Sequence, residues 1–484
     1  MNQKIDWKII KKIFFVGIKG VGMMPLSIIA KEYGFEVAGS DLNEEFITDE
    51  VLIANKIKVF DFKIENIEEF FKNDSSDSCL VITTGAHSGY DNPQVKWAKG
   101  KGIVVYNQGE ALSIFMNGAP FGRELKGITV TGSHGKTTVS AMISSAFVSL
   151  GLDPSYAVGT SQISPIGYSG HYGIGEYFIA EGDEYVGEPV YDRTPKILYQ
   201  KPNIVIINNI DFDHPDVYKD LNDVKDTILK FINNMKDNGL VLLNSDDLNL
   251  KDLESSIRDD LEVVFYGSNN SDYSISDINS IIGSIKFTVV KNNIFFGNFE
   301  SFIPGKHNVY NMLAAITLLD KIGFDLDKIK KATESYRGCK RRMEKIGVTK
   351  KGQVVIDDYG HHPFEIKSTL KALKDFYGKR IVCVFQSHTY SRTKEFLNEF
   401  ANSFGEVDEL ILLPIFKSQR DTESDIISSN EFADAFRKKV ENVYMAKSIE
   451  DASSYIEGLQ NYDNEVVVTI GAGEVYKVGY KLII

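Results

Sequence analysis

The run Ile128-Thr129-Val130-Thr131, followed by Gly132-Ser133-His134-Gly135-Lys136-Thr137-Thr138, constrains this chain more than any other segment. A short β-branched strand enters a glycine-bearing turn, and an amphipathic stretch, Ser140 to Leu150, leaves it as a helix. Strand, turn and helix in that order form a phosphate cradle. Backbone N–H groups at a helix N-terminus attract anions, and glycines let the main chain close around phosphate oxygens. Lys136 is placed to reach the β/γ-phosphates, and the Thr137 hydroxyl to ligate Mg²⁺. The first glycine of the general pattern G-x-x-x-x-G-K-T falls on Val130, so Gly132 to Thr138 is a shorter variant.

A chain of 484 residues exceeds one ordinary core. Strand-like and helix-like runs alternate almost throughout, which predicts an α/β protein with parallel sheets covered by helices. Three sections are expected. Residues 1–125 read as a Rossmann-like domain, with strands at Ile13 to Val16, Glu36 to Asp41, Leu80 to Thr84 and Ile103 to Tyr106. Residues 126–336 read as a central P-loop ATPase-type parallel sheet, with strands at Tyr177 to Ala180 and Ile204 to Ile207. A small antiparallel insert of short strands is expected from Phe265 to Phe302. Residues 337–484 read as a second Rossmann-like domain, with strands near Val354, Arg380, Glu409 and Glu465.

The net charge of −13 argues against general binding of nucleic acid or an anionic membrane. Cys79, Cys339 and Cys383 show no metal spacing and fit buried thiols in a reducing compartment. Met1 to Lys12 carries no apolar signal-peptide core, and no apolar run approaches the roughly 20 residues a membrane span needs. The expectation is a cytoplasmic protein without nucleic-acid or membrane partners.

Several other segments carry chemistry. Gly17-Ile18-Lys19-Gly20-Val21-Gly22, with Asp41 beyond it, resembles a dinucleotide fingerprint, although the glycine spacing is reversed. Alone it is also compatible with a simple βα turn or a nicotinamide dehydrogenase. Glu181-Gly182-Asp183-Glu184 and Asp211-Phe212-Asp213-His214 each follow a central strand, where ligands of α/β sheets gather. Carboxylate oxygens suit Mg²⁺, and Glu181 is the first candidate ligand, with His214 at a second cation or on substrate. His307, Asn308 and Asn311 open an alanine-rich helix and could read an adenine edge. Arg341-Arg342 is a phosphate-clamp candidate. Asp357 to Pro363 and Gln386 to Thr393 place acid, histidine and arginine at two further strand ends, a polar setting for a carboxylate or amine.

The order of these motifs resembles the Mur ligases, the ATP-dependent amino-acid ligases of bacterial cell-wall synthesis. The shared marks are Gly-Ser-His-Gly-Lys-Thr-Thr, Glu-Gly-Asp-Glu, Asn-Asn-Ile-Asp-Phe-Asp-His, Gly-Lys-His-Asn-x-x-Asn, Arg-Arg-Met-Glu and Asp-Asp-Tyr-Gly-His-His-Pro. The resemblance implies three domains, for a UDP-sugar, for ATP with Mg²⁺, and for an amino acid. It implies that L-alanine, or a similar small amino acid, is joined to the carboxylate of UDP-N-acetylmuramate through an acyl phosphate, by a monomer or homodimer. Lys136, Glu181 and His214 would be catalytic, with Thr137, Glu181 and His214 at the metals. Gly132, Gly135, Lys136, Thr137, Thr138, His307, Asn308, Asn311, Arg342 and Asp358 would hold ATP. Gly17, Gly20, Gly22, Met23, Ser40, Asp41, Thr84 and His87 would hold the UDP-sugar. Tyr359, His361, His388 and Arg392 would face the amino acid. The chain departs from the family pattern in three places: Thr389 stands where alanine-adding members usually carry arginine, Gly182 replaces an alanine and Lys19 a glycine. The stretch Asp183 to Arg193 looks instead like the branch that accepts a recycled murein tripeptide, so the acceptor could be an amino acid or a peptide's amino end. From a different class, a non-catalytic nucleotide-binding protein is disfavoured by the presence of Lys136, Thr137, Glu181 and His214.

Overall fold

A computed structural model of the chain describes residues 5–212, 216–268, 270–416, 426–459 and 464–483. The chain divides into two compact units. The first comprises Met1–Ser276, Thr288–Gly297 and Tyr310–Tyr336; the second comprises Asp277–Phe287, Asn298–Val309 and Arg337–Ile484.

The first unit begins with five parallel strands, β1 (Lys12–Val16), β2 (Glu36–Ser40), β3 (Lys58–Phe60), β4 (Cys79–Thr83) and β5 (Val104–Asn107), in the order β3-β2-β1-β4-β5. The apolar run of β1 shows no alternation because both its faces are buried. Ile13 and Phe15 pack into one cluster, Phe14 and Val16 into another. Strand order reverses at β1, and such a switch leaves a crevice at the carboxyl ends. The turn Gly17 to Gly22 lies there.

The second sheet of this unit runs β14-β13-β12-β6-β9-β7, all parallel, with β6 (Lys126–Thr131), β7 (Ser155–Ser164), β9 (Tyr177–Glu181), β12 (Ile204–Ile207), β13 (Leu240–Asn244) and β14 (Glu262–Gly267). β8 (Gly167–His171) returns antiparallel on β7, and β10 (Val186–Glu188) with β11 (Asp192–Pro195) forms a separate antiparallel hairpin. Register sets Val130 opposite Glu181 and Thr131 opposite Ile207. The turn after β6, Glu181 and Asn208-Asn209 therefore share one end of the sheet. The helix after β6 starts at Lys136 rather than Ser140, because Gly135, with φ +81°, ends the turn. Its residues Val139 to Phe147 are all buried, so it is covered on every side rather than amphipathic.

The antiparallel insert starts later than expected. Phe265 belongs to β14, whose Val264 and Tyr266 are buried and which pairs in parallel with β13. The insert proper is β15 (Tyr273–Ile281), β16 (Ser284–Lys291) and β17 (Ile294–Ser301), which follow one another along the sheet edge. Two-residue links between hydrogen-bonded neighbours require antiparallel pairing. With eight or nine residues each, these strands are longer than read from the sequence.

In the second unit, β18 (Gly338–Cys339) precedes a six-stranded sheet in the order β19-β20-β24-β21-β22-β23. These are β19 (Glu344–Val348), β20 (Val354–Asp358), β21 (Arg380–Phe385), β22 (Glu409–Leu412), β23 (Val443–Met445) and β24 (Glu465–Ile470). β19 pairs antiparallel with β20, and the remaining pairs are parallel. Ile470 lies opposite both Asp358 and Phe385, which aligns the strand ends bearing Asp358 and Gln386 to Thr389. The molecule is thus α/β with three parallel-dominated sheets. Its three cysteines are free and buried. Among the described residues no helix is long and apolar enough to cross a membrane.

Candidate active site

Lys136 sits in the first turn of its helix, and its ammonium folds back over the loop. It donates to the carbonyls of Gly132 (2.7 Å) and Ser133 (3.3 Å) and pairs with both carboxylate oxygens of Glu184 at 3.1 Å. Burial disfavours the ammonium, but the charges of Glu184, Asp183 and Glu181 outweigh it and hold Lys136 protonated, above the ordinary lysine range. Glu181 lies alongside. It accepts from the Thr137 hydroxyl at 3.0 Å and from the Gly159 N–H at 2.7 Å. Two oxygen donors side by side at the mouth of a phosphate loop suit Mg²⁺, which takes one or two protein groups and completes its shell with phosphate and water. Asp183 is committed elsewhere, to Lys196 at 2.7 Å, which holds its carboxyl well below the usual range despite burial.

Asn208 and Asn209 set the loop's shape. Asn209 accepts from the His134 N–H at 2.8 Å, and both side-chain amides donate to the His134 carbonyl at 3.2 Å. Ser133 bonds Asp211 in both directions, and His134 lies 3.4 Å from the Asp211 carboxylate. Glycine is required at 132, where φ is +127° and a Cβ would meet the Asn209 carbonyl at 2.9 Å. A Cβ at Gly135 would lie 3.0 Å from Asn311 Oδ1. Asn311 therefore stands against the phosphate loop. Asp213 and His214, read as a possible cation site, lie outside the described residues.

The first glycine turn gathers its expected partners. A Cβ at Gly17 would lie 2.3 Å from Thr84 Cγ2 and 3.5 Å from the His87 ring, and His87 Nε2 is 3.5 Å from Asp41. The Asp41 carboxylate accepts the N–H groups of Lys19 (2.7 Å) and Leu42 (2.8 Å), so it staples the turn. Lys19 has no positive φ, which is why a lysine is tolerated there. Its ammonium caps the Glu44 carbonyl and pairs with Asp49 at 3.1 Å. Ser40 donates to Gln94, Gly22 accepts from Gln108, Gly20 accepts from the Met23 N–H, and Met23 is itself buried. The glycine at 182 has a local cause too: a Cβ there would meet Thr129 Cγ2 at 2.7 Å.

In the second unit, Arg341 is consumed by structure. It is buried, pairs with Asp357 at 3.0 Å and donates to the Gly471 carbonyl. Arg342 lies over the Tyr359 ring at 5.3 Å. Asp358 accepts the N–H groups of Met343 and Gly360, each at 2.8 Å, and burial pushes its carboxyl up to about 6 against the pull of Arg342. His361 packs edge-on against Tyr359, and burial lowers its pKa, with Arg392 and Arg342 adding to the effect. Asn308 donates to the Pro304 carbonyl at 2.7 Å within its own turn, and the His307 ring folds onto Gly305. His388 stacks on Phe416 with centroids 5.2 Å apart. Thr389 adopts φ +68°, unusual for a β-branched residue, and its Oγ1 caps the helix Tyr390–Glu395 by accepting the Arg392 N–H at 3.3 Å. An arginine there could not cap in this way. The Arg392 guanidinium has no hydrogen bond or ion pair among the described residues.

Gly159 and Lys196 carry no local signal in the sequence, whereas Glu184, which pairs with Lys136, and Asn208-Asn209, which hold His134, stand inside the motifs.

Comparison with known proteins bears on this arrangement. Residues 12–119 match the model described as Mur ligase family, catalytic domain; 130–319 match the Mur ligase middle domain; 341–473 match the Mur ligase, glutamate ligase domain. The chain is 34% identical to the UDP-N-acetylmuramate–L-alanine ligase of Desulfitobacterium hafniense, over 97% of this chain and 99% of that protein. It is 35% identical to that of Clostridium tetani, over 98% of each. The crystal structure of the UDP-N-acetylmuramate–alanine ligase of Thermotoga maritima superposes with a TM-score of 0.79 at 25% identity, covering 97% of this chain and 98% of that one. A murein peptide ligase from Psychrobacter arcticus shares the fold, with a TM-score of 0.68 at 21% identity and 98% coverage of both.

Proposed function

We propose, since the chain belongs to the Mur ligase family, that it is an ATP-dependent ligase joining L-alanine to the carboxylate of UDP-N-acetylmuramate. The relatives aligned over nearly the whole chain at 34% and 35% identity carry that activity in their names. The observation that carries the chemistry is the junction of Lys136, Thr137, Glu181 and Glu184 around one loop.

The sugar carboxylate attacks the γ-phosphorus of ATP in line, ADP leaves, and an acyl phosphate forms. Such a transfer needs positioning and charge neutralisation rather than covalent help from the protein. Lys136 and the N–H groups opening its helix face the phosphate oxygens. Mg²⁺ held by Thr137 and Glu181 would neutralise further charge on those oxygens. The neutral amine of the amino acid then attacks the acyl carbon, phosphate departs, and the amine proton is released. Gly17, Thr84 and His87 serve the UDP-sugar; Tyr359, His361 and Arg392 serve the amino acid; Asn311 supports the ATP loop.

The test mixes protein, ATP, Mg²⁺ and UDP-N-acetylmuramate with L-alanine, glycine, L-serine or murein tripeptide, and measures phosphate release and product mass. Release with L-alanine and a product heavier by one alanyl residue is expected. No release with any acceptor refutes the ligase reading, and release with tripeptide alone transfers the activity to that acceptor.

A further inference from the structure

Between the two sites of the first unit runs the hairpin β10–β11, and its Glu188 has no role in the reaction above. Glu188 is fully buried, and among the described residues no direct ion pair holds it, although the Lys99 charge acts on it from further off. Among the described residues its carboxylate accepts backbone N–H groups: Val190 at 2.9 Å and Tyr191 at 2.5 Å in its own hairpin, and Tyr90 at 3.3 Å across the chain. Gly89 makes that reach possible, because a Cβ there would lie 2.2 Å from Glu188 Oε1. The contact is reinforced on either side. A Cβ at Gly85 would meet the Gly187 carbonyl at 2.8 Å, and the Tyr191 hydroxyl donates to Asp91.

The loop gripped in this way runs from Thr84 to Asp91. It carries Thr84 and His87, which press on Gly17 in the first glycine turn. The gripping hairpin leaves the segment that holds Glu181 and Glu184, and it is tied back to Asp183 by Lys196. A buried carboxylate without a direct ion pair is costly unless its hydrogen bonds are complete, so these partners are specified rather than incidental.

We propose that Glu188 is a positioning residue: it fixes the loop bearing Thr84 and His87 relative to the phosphate-loop acids, and so sets where the UDP-sugar carboxylate stands with respect to ATP. This inference rests on the reading of the first turn as the UDP-sugar site. Displacing a reactant by about 1 Å costs on the order of a hundredfold in rate.

Glu188→Gln keeps the volume and one acceptor; Glu188→Ala removes both; Gly89→Ala pushes on the same contact from the other side. For each variant, hydrogen exchange over 84–91, affinity for UDP-N-acetylmuramate by calorimetry, affinity for ATP, melting temperature and turnover are measured on the full chain. The expected pattern is faster exchange at 84–91 and a fall in turnover or UDP-sugar affinity of about tenfold for Gln and more for Ala, with ATP affinity unchanged. Unchanged turnover and UDP-sugar affinity despite faster exchange would overturn the proposal, as would a parallel loss of ATP affinity and melting temperature, the mark of a purely structural role. A wild-type protein that binds UDP-N-acetylmuramate without forming product refutes the ligase reading alone, since the affinities still report on Glu188; one that binds ATP but no UDP-sugar overturns both.

Discussion

Replacing Lys136 with methionine separates folding from chemistry in this protein. The Glu184 side chain is only 6% exposed, and both its oxygens lie 3.1 Å from the Lys136 ammonium. Methionine preserves the length of the stem and removes the charge, which strands a buried carboxylate. Breaking a buried pair from one side costs about 3–5 kcal/mol, whereas replacing both partners by neutral groups of similar size is close to neutral. Lys136→Met should therefore destabilise the first unit by about 3–5 kcal/mol, and the pair Lys136→Met with Glu184→Gln should recover at least about 2 kcal/mol of it. At about 2–4 °C per kcal/mol for a domain of this size, the single variant melts roughly 10 °C early. Differential scanning calorimetry reads the first transition, and phosphate release reads the chemistry. Both variants should be inactive, because the ammonium proposed to face the phosphates is gone while Thr137 and Glu181 remain. A single variant that melts within about 2 °C of wild type would show that Glu184 is not desolvated. A double variant that retains turnover would show that Lys136 is not the phosphate-facing cation.

Gly159→Ala places a Cβ 2.7 Å from Glu181 Oε2 and displaces the carboxylate beside Thr137; phosphate release should demand at least about tenfold more Mg²⁺, and an unchanged Mg²⁺ titration would contradict the assignment of Glu181. The Asp358 carboxyl is raised from 3.8 to about 6 in the folded state, so the folded protein binds the proton more tightly than the unfolded chain, and stability falls as pH rises between these values. The loss is about 3 kcal/mol and levels off above pH 6. Urea unfolding of wild type and Asp358→Asn across that range should show curves that diverge with pH; parallel curves would refute the burial argument. Arg392→Ala removes a guanidinium with no ion pair among the described residues, so stability should change by less than about 0.5 kcal/mol while KM for the amino acid rises about tenfold or more; an unchanged KM would remove Arg392 from the acceptor site.

Much of the candidate site's layout was legible in the chain because its parts are local. Strand, Gly132-to-Thr138 turn and helix are consecutive, and the glycine requirements at 132 and 135 follow from positive φ in that turn. The same holds for Gly17, whose φ is +85°. What the sequence could not rank were neighbouring residues of the same type. Arg341 and Arg342 look alike in a motif, but one is buried against Asp357 and the other lies over Tyr359. Asn308 and Asn311 look alike too, yet one closes its own turn and the other reaches Gly135. Phe265 read as part of the antiparallel insert because turn residues follow closely; its pairing with β13 depends on a partner more than 20 residues earlier.

By itself the sequence determined the α/β class, the order of the phosphate loop and its acids, and the family, since each rests on contiguous residues and on backbone preferences within a few bonds. The tertiary structure alone decided which partner each carboxylate meets. Register puts Glu181 level with Val130 beside Thr137, and the turn beyond it carries Glu184 onto Lys136, Asp183 onto Lys196 and Glu188 into the core under Tyr90. Four acids within eight residues are chemically alike in sequence. They become different groups through the burial and the partners that strand pairing assigns them, and those are properties of distant segments brought together.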